Sequence, residues 1–189
     1  KMSEALLNKL RGDVKWEALD AIEPLSVEQR IGKVTQWFLT AAEKHDETGA
    51  KYFYALLPLA LQGIAADAEE TKSRFVGLAA ELFPQLPVYK KVSEYNRYSN
   101  KEEKRDVDTL VDLKKAMLKE IALQWQQTKD RDEGPRLASL LIKTAQSKNA
   151  QHIGWVTEAL HAATESVPHK DRTLLLMGRM ATETEHNEP

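Results

Sequence analysis

Apolar residues recur at alternating three- and four-residue spacing along most of the chain, and no stretch has the two-residue periodicity that asks for a β-strand. Ser26-Val27-Glu28-Gln29 carries the clearest start signal. It fits a capping box, in which Ser26 accepts from the backbone three residues on and Gln29 reaches back. Behind it Val27, Ile31, Val34, Phe38 and Ala41 form one stripe that Trp37 widens, so a helix is predicted there. The segment after Gly49 carries Tyr52, Phe53, Leu56, Leu57, Leu59, Leu61 and Ile64 and belongs at the centre of the fold, with Pro58 expected to kink or split it. Asp67 with Glu70 is a second capping-box-like start, leading Phe75, Val76, Leu78, Ala79 and Leu82 towards Pro84.

Earlier still, Ser3 and Asp13 are candidate caps for two short helices, the second stopped by Pro24. Pro84–Pro87 reads as a linker, and Val88, Val92 and Tyr95 then support a short helix. A long helix is expected from about Asp106 to Lys129, on the stripe Leu110, Leu113, Met117 and Ile121. Pro135 suits a first helical position, Asn149 starts a helix through Ile153, Val156 and Leu160, and Pro168 precedes a last one. Gly49–Pro84 and Gly134–Pro168 share an order of glycine, helix, turn, helix, proline, within the range of helix-pair repeats.

The pattern therefore predicts an all-α fold, an irregular bundle or short superhelix of about seven to nine antiparallel helices arranged as helical hairpins. A chain of 189 residues suits one domain over 1–189, with possible sub-halves 1–98 and 106–189 joined by a charged segment. Charged residues at 30% and only eight glycines fit a globular helical protein. No cysteine is present, which removes disulfides, thiolate nucleophiles and zinc–thiolate sites and fits a reducing, cytoplasmic setting. No window reaches the roughly 18 apolar residues needed to cross a bilayer, so no membrane partner is expected. The sequence opens on Lys1 with no signal-like pattern, which reads as a processed or trimmed piece.

Charge is uneven although the net is −2. Residues 86–150 hold 14 basic and 10 acidic groups, while both flanks are net acidic. A dedicated nucleic-acid domain shows a stronger bias. Candidate chemistry is sparse. Glu158/His161 and Glu183/His186 have the helical spacing that di-metal bundles use, but the inward glutamates such sites need are missing, so no metal or other cofactor is expected. The five histidines fall near predicted helix ends or exposed faces; His45 in particular suits the negative end of a helix. No nucleophile elbow or phosphate-cradling glycine loop occurs, so no enzyme activity is expected. Trp16, Trp37, Trp125 and Trp155 lie on or beside apolar stripes and read as packing residues.

One segment stands apart. Val88 to Lys101 interleaves Tyr89, Tyr95 and Tyr98 with Lys90, Lys91, Arg97 and Lys101, against a single acid, Glu94. Tyrosine and arginine are over-represented as protein-interface anchors. Positive groups beside aromatic rings also suit phosphates and unpaired bases. The bland alternative is an amphipathic helix with Val88, Val92 and Tyr95 packed inward. The expected role is a non-enzymatic adaptor or assembly subunit, binding a protein partner or self-associating. The alternative is an accessory subunit contacting RNA or single-stranded DNA through residues 88–101.

Overall fold

The computed structural model describes residues 15–61, 68–147, 149–166, 173 and 175–180, with backbone alone for 15–17, 68, 150 and 166. The elements are α1 (Lys15–Ile22), α2 (Val27–Glu43), α3 (Glu47–Ala60) and α4 (Ala68–Leu82). A 3-10 turn (Phe83–Gln85), β1 (Tyr89–Asn96) and β2 (Lys101–Asp108) follow, then α5 (Val111–Gln127), α6 (Glu133–Ala145) and α7 (Ala150–Ser166). Helical backbone also covers 175–180. The protein is thus mostly helical, as the periodicity predicts, but it is not all-α. Residues 89–108 form an antiparallel two-stranded hairpin where a short helix and the start of a long one were expected.

The chain divides into two compact units. Residues 1–75 and 84–113 make the first, and residues 76–83 and 114–189 the second. In the first unit α2 begins at the capping box. Ser26 Oγ accepts from Gln29 N at 3.3 Å, and Gln29 Oε1 accepts from Ser26 N at 3.2 Å. Of its stripe Val34, Phe38 and Ala41 are buried together with Trp37, while Val27 and Ile31 are half-buried. These meet α3 through aromatic pairs, Trp37–Phe53 at 5.5 Å between ring centroids and Phe38–Tyr54 at 6.1 Å; Tyr54 in turn meets Phe75 at 5.0 Å. Each buried side chain of this size contributes about 1.5–3 kcal/mol relative to exposure. The helix α3 runs through Pro58 instead of splitting. Only one residue-to-residue bond near its C-terminal end is forfeited there, which the packing of Leu56, Leu57 and Ala60 outweighs.

The turn between α2 and α3 uses an αL cap. His45 has φ 56°, its N–H donates to Ala42 O at 2.9 Å, and Asp46 N–H donates to Ala41 O at 2.9 Å. Glycine usually fills that position; here His45 does, and its Nδ1 lies 3.1 Å from Thr109 Oγ1. Glu47 Oε1 accepts from Leu113 N at 3.0 Å, capping the start of α5, and Lys51 pairs with Asp112 at 3.5 Å. Leu110, buried, also holds a positive φ of 56°. The segment leaving the hairpin is therefore rooted on the α2–α3 turn.

In the second unit Met117, Leu118, Ile121, Trp125, Leu137, Leu141, Val156 and Leu160 are buried. The helix α6 starts at Glu133, so Pro135 sits in the first turn, not at its first position. Asp130 Oδ1 accepts from Asp132 N at 2.7 Å and Glu133 N at 3.0 Å, closing the α5–α6 turn. Asn149 Oδ1 accepts from Gln151 N at 2.9 Å, as expected of a residue opening α7. Trp37, Trp125 and Trp155 are all buried; the side chain of Trp16 lies outside the described residues, as do the Ser3, Asp13, Asp67 and Pro168 signals.

Candidate functional site: an exposed β-hairpin

The hairpin is built by its turn. Asn96 Oδ1 accepts from Tyr98 N at 2.9 Å and Ser99 N at 3.3 Å, the side-chain mimic of a backbone turn. Its Nδ2 donates to Glu103 Oε1 at 2.9 Å, and Ser99 Oγ donates to the same oxygen at 3.0 Å. Asn100 takes φ 54°, a left-handed conformation asparagine tolerates, and its side-chain oxygen accepts from the Tyr95 hydroxyl. Residues Arg97 to Asn100 thereby reverse the chain, and the register runs from Asn96↔Lys101 to Tyr89↔Asp108.

Residues directly opposite share a face, so the register sorts the candidates. Tyr89, Lys91, Ser93 and Tyr95 share one face with Asp108, Asp106, Lys104 and Glu102. Lys90, Val92, Glu94 and Asn96 share the other with Val107, Arg105, Glu103 and Lys101. Arg97 and Tyr98 stand in the turn. Of the seven residues singled out in sequence, the structure brings all to one hairpin, yet on three different surfaces. None of the tyrosines packs inward: Tyr89 is 41% exposed, Tyr95 57% and Tyr98 fully exposed. Val88, expected to face inward on a helix, is exposed as well.

The second strand was missed as part of the site, and it changes the electrostatics. Residues 89–108 hold six basic and five acidic side chains, so β2 largely neutralises the basic character of 88–101. Glu94 directly faces Glu103, an unfavourable like pair. Arg105, at 3.1 Å from Glu94, relieves it. An open concavity of about 450 Å³ at the tip is lined by Tyr95, Arg97, Tyr98, Lys104 and Arg105 together with Glu94 and Glu103. The sheet has two strands, so among the described residues both outer edges lack a backbone partner.

Elsewhere the side chains read as structure. Glu158 and His161 are exposed on α7, and Glu158 pairs with Lys119 at 3.7 Å; Glu183 and His186 lie outside the described residues. Among the described residues no three His, Asp or Glu side chains gather as a metal requires. His152 departs from the expectation of an exposed or helix-end histidine: it is buried, its ring tilted at 41° against Trp155 with centroids 4.5 Å apart, and its Nδ1 lies 2.5 Å from Ser147 Oγ. That contact ties the α6–α7 turn to the first turn of α7.

Comparison with protein-family models, curated proteins and solved structures finds no match. The hairpin's own geometry has to carry the functional reading.

Proposed function

We propose that this protein is a non-enzymatic α-helical adaptor or assembly subunit of the cytoplasm that engages protein through its β-hairpin arm. In this reading the helices pack as antiparallel helical hairpins, in an irregular bundle or short superhelix, and serve as the scaffold that presents the arm. The observation that carries it is the exposure of a ribbon bearing Tyr89, Tyr95 and Tyr98 while, among the described residues, both its edges lack a partner strand. A two-stranded ribbon is marginal alone, and free edges template pairing with another chain. Tyrosines offer large contact area at little entropic cost.

The nucleic-acid reading, an RNA or single-stranded DNA contact through 88–101, draws on Arg97 beside Tyr98 at the tip. The near-cancellation of charge across the register weakens it, because phosphate binding needs a basic excess. No described helix is long and apolar enough to cross a membrane.

A photo-crosslinking residue at position 98, with position 165 on the exposed side of α7 as control, separates the readings in cell extract. A discrete protein adduct that resists nuclease at 98, and is missing at 165, is the expected result. Nuclease-sensitive adducts favour the alternative, and equal labelling at both positions removes the arm reading.

A further inference from the structure

We propose that the free edge of β1 pairs with β1 of a second copy, about a two-fold axis at Val92, giving a four-stranded antiparallel sheet. This rests on reading the hairpin as a protein-binding arm and adds the occupant.

Charge complementarity along β1 selects the occupant. A symmetric antiparallel pair of identical strands places one residue opposite itself, and every contact occurs twice. For β1 the four registers with the greatest overlap are centred on Lys91, Val92, Ser93 or Glu94. Centring on Lys91 or Glu94 sets like charges together. Centring on Ser93 puts Val92 against Glu94. Centring on Val92 sets Lys90 against Glu94, Lys91 against Ser93 and Tyr89 against Tyr95, with Val92 on its own copy. Every contact there is favourable or neutral.

The other edge behaves oppositely. The four corresponding registers of β2 are centred on Glu103, Lys104, Arg105 or Asp106, so each sets a charge against its own copy. Opposed like charges destabilise strand pairs. One edge of the ribbon is therefore guarded against self-pairing, and the other admits it, best in the register centred on Val92, where Lys90 meets Glu94. That arrangement closes as a dimer instead of propagating.

Two features of the single hairpin are resolved by the pairing. Glu94 faces Glu103 in its own ribbon, and Lys90 makes no ion pair among the described residues. In the dimer Lys90 of each copy comes opposite Glu94 of the other, adding a second cation to that carboxylate pair. Tyr89 and Tyr95, both exposed, become neighbours across the new strand boundary at the roughly 4.5–5.5 Å separation of facing residues.

The chain contains no cysteine, so single-cysteine variants report the register directly. Facing strand residues lie within the Cα separation a disulfide spans, about 4.4–6.8 Å. Under mild oxidation Val92→Cys is expected to form a covalent dimer, whereas Ser93→Cys and Tyr98→Cys stay monomeric. Lys90→Glu and Glu94→Lys are each expected to weaken the sedimentation-measured dimer about tenfold. Mixing these two variants restores association, since each copy then supplies what the other needs. Unchanged far-ultraviolet circular dichroism confirms that the variants fold. A wild-type chain that sediments as a monomer at every concentration overturns the proposal, as does Ser93→Cys crosslinking as well as Val92→Cys. If self-pairing fails while position 98 still captures protein, the arm reading stands and only the occupant falls.

Discussion

Replacing Asn96 with alanine should loosen the arm and leave the helical body untouched. The side chain accepts from Tyr98 N at 2.9 Å and Ser99 N at 3.3 Å and donates to Glu103 at 2.9 Å. All three contacts are exposed, so each adds only the low end of the roughly 0.5–1.5 kcal/mol net of a hydrogen bond. The longer bond to Ser99 N counts least. Together they stabilise the closed turn by about 1–2 kcal/mol, a factor of about 5–30 in its opening equilibrium. A two-stranded ribbon opens by itself before the core does, so the loss should stay local. Hydrogen exchange followed by NMR should show β1 and β2 amides exchanging about 5–30 times faster in Asn96→Ala, with helical amides and the melting temperature unchanged. Unchanged hairpin exchange would refute the turn's role. A melting temperature several degrees lower would refute the arm's independence.

Three further outcomes follow from the geometry. Phe53→Ala empties a site that is 1% exposed and packed on Trp37, and should cost about 3–5 kcal/mol in urea unfolding; a loss below about 1 kcal/mol contradicts the described packing of α2 on α3. Gly49→Ala, ordinarily favourable inside a helix, should destabilise by about 1 kcal/mol, because the new Cβ falls 2.6 Å from Asp46 Oδ2 and displaces the carboxylate capping α3; a more stable variant sinks this. The Asp130 carboxyl is held below the usual aspartate range by backbone N–H donors of Glu133, then Asp132. Its contribution to the turn is complete above the ordinary carboxylate pKa and disappears as pH falls through the lowered folded value. An NMR titration midpoint at or above the ordinary value would contradict that.

The helices were legible because each has one wet and one dry side. Val34, Phe38 and Ala41 recur at helical spacing, and their burial follows from it. Ser26 and Gln29 were legible as a cap because the motif is local and needs no tertiary partner. The hairpin was hidden for the converse reason. A strand announces itself by alternation only when one face is buried, and here both faces are wet, so Lys101–Asp108 reads like a solvated helix. The signal that remained was chemical: Asn96 and Asn100 bracketing Arg97-Tyr98-Ser99 is turn composition between two eight-residue runs. The tyrosines and basic residues of 88–101 fall on an exposed hairpin where a short helix was expected. Their facing charges on β2 were invisible without the register.

The root of the arm limits where it can be used. His45 and Leu110 both hold left-handed backbone, at roughly 1–2 kcal/mol each relative to glycine, on either side of the His45–Thr109 contact. Glu47 and Lys51 grip the same stretch from α3. A peptide of residues 88–109 leaves all of that behind, so the arm is not a portable module. Grafting it onto another scaffold requires carrying residues 41–51 and 109–113 as well. A glycine at position 45 relaxes the backbone, yet it also removes the imidazole that aims the ribbon.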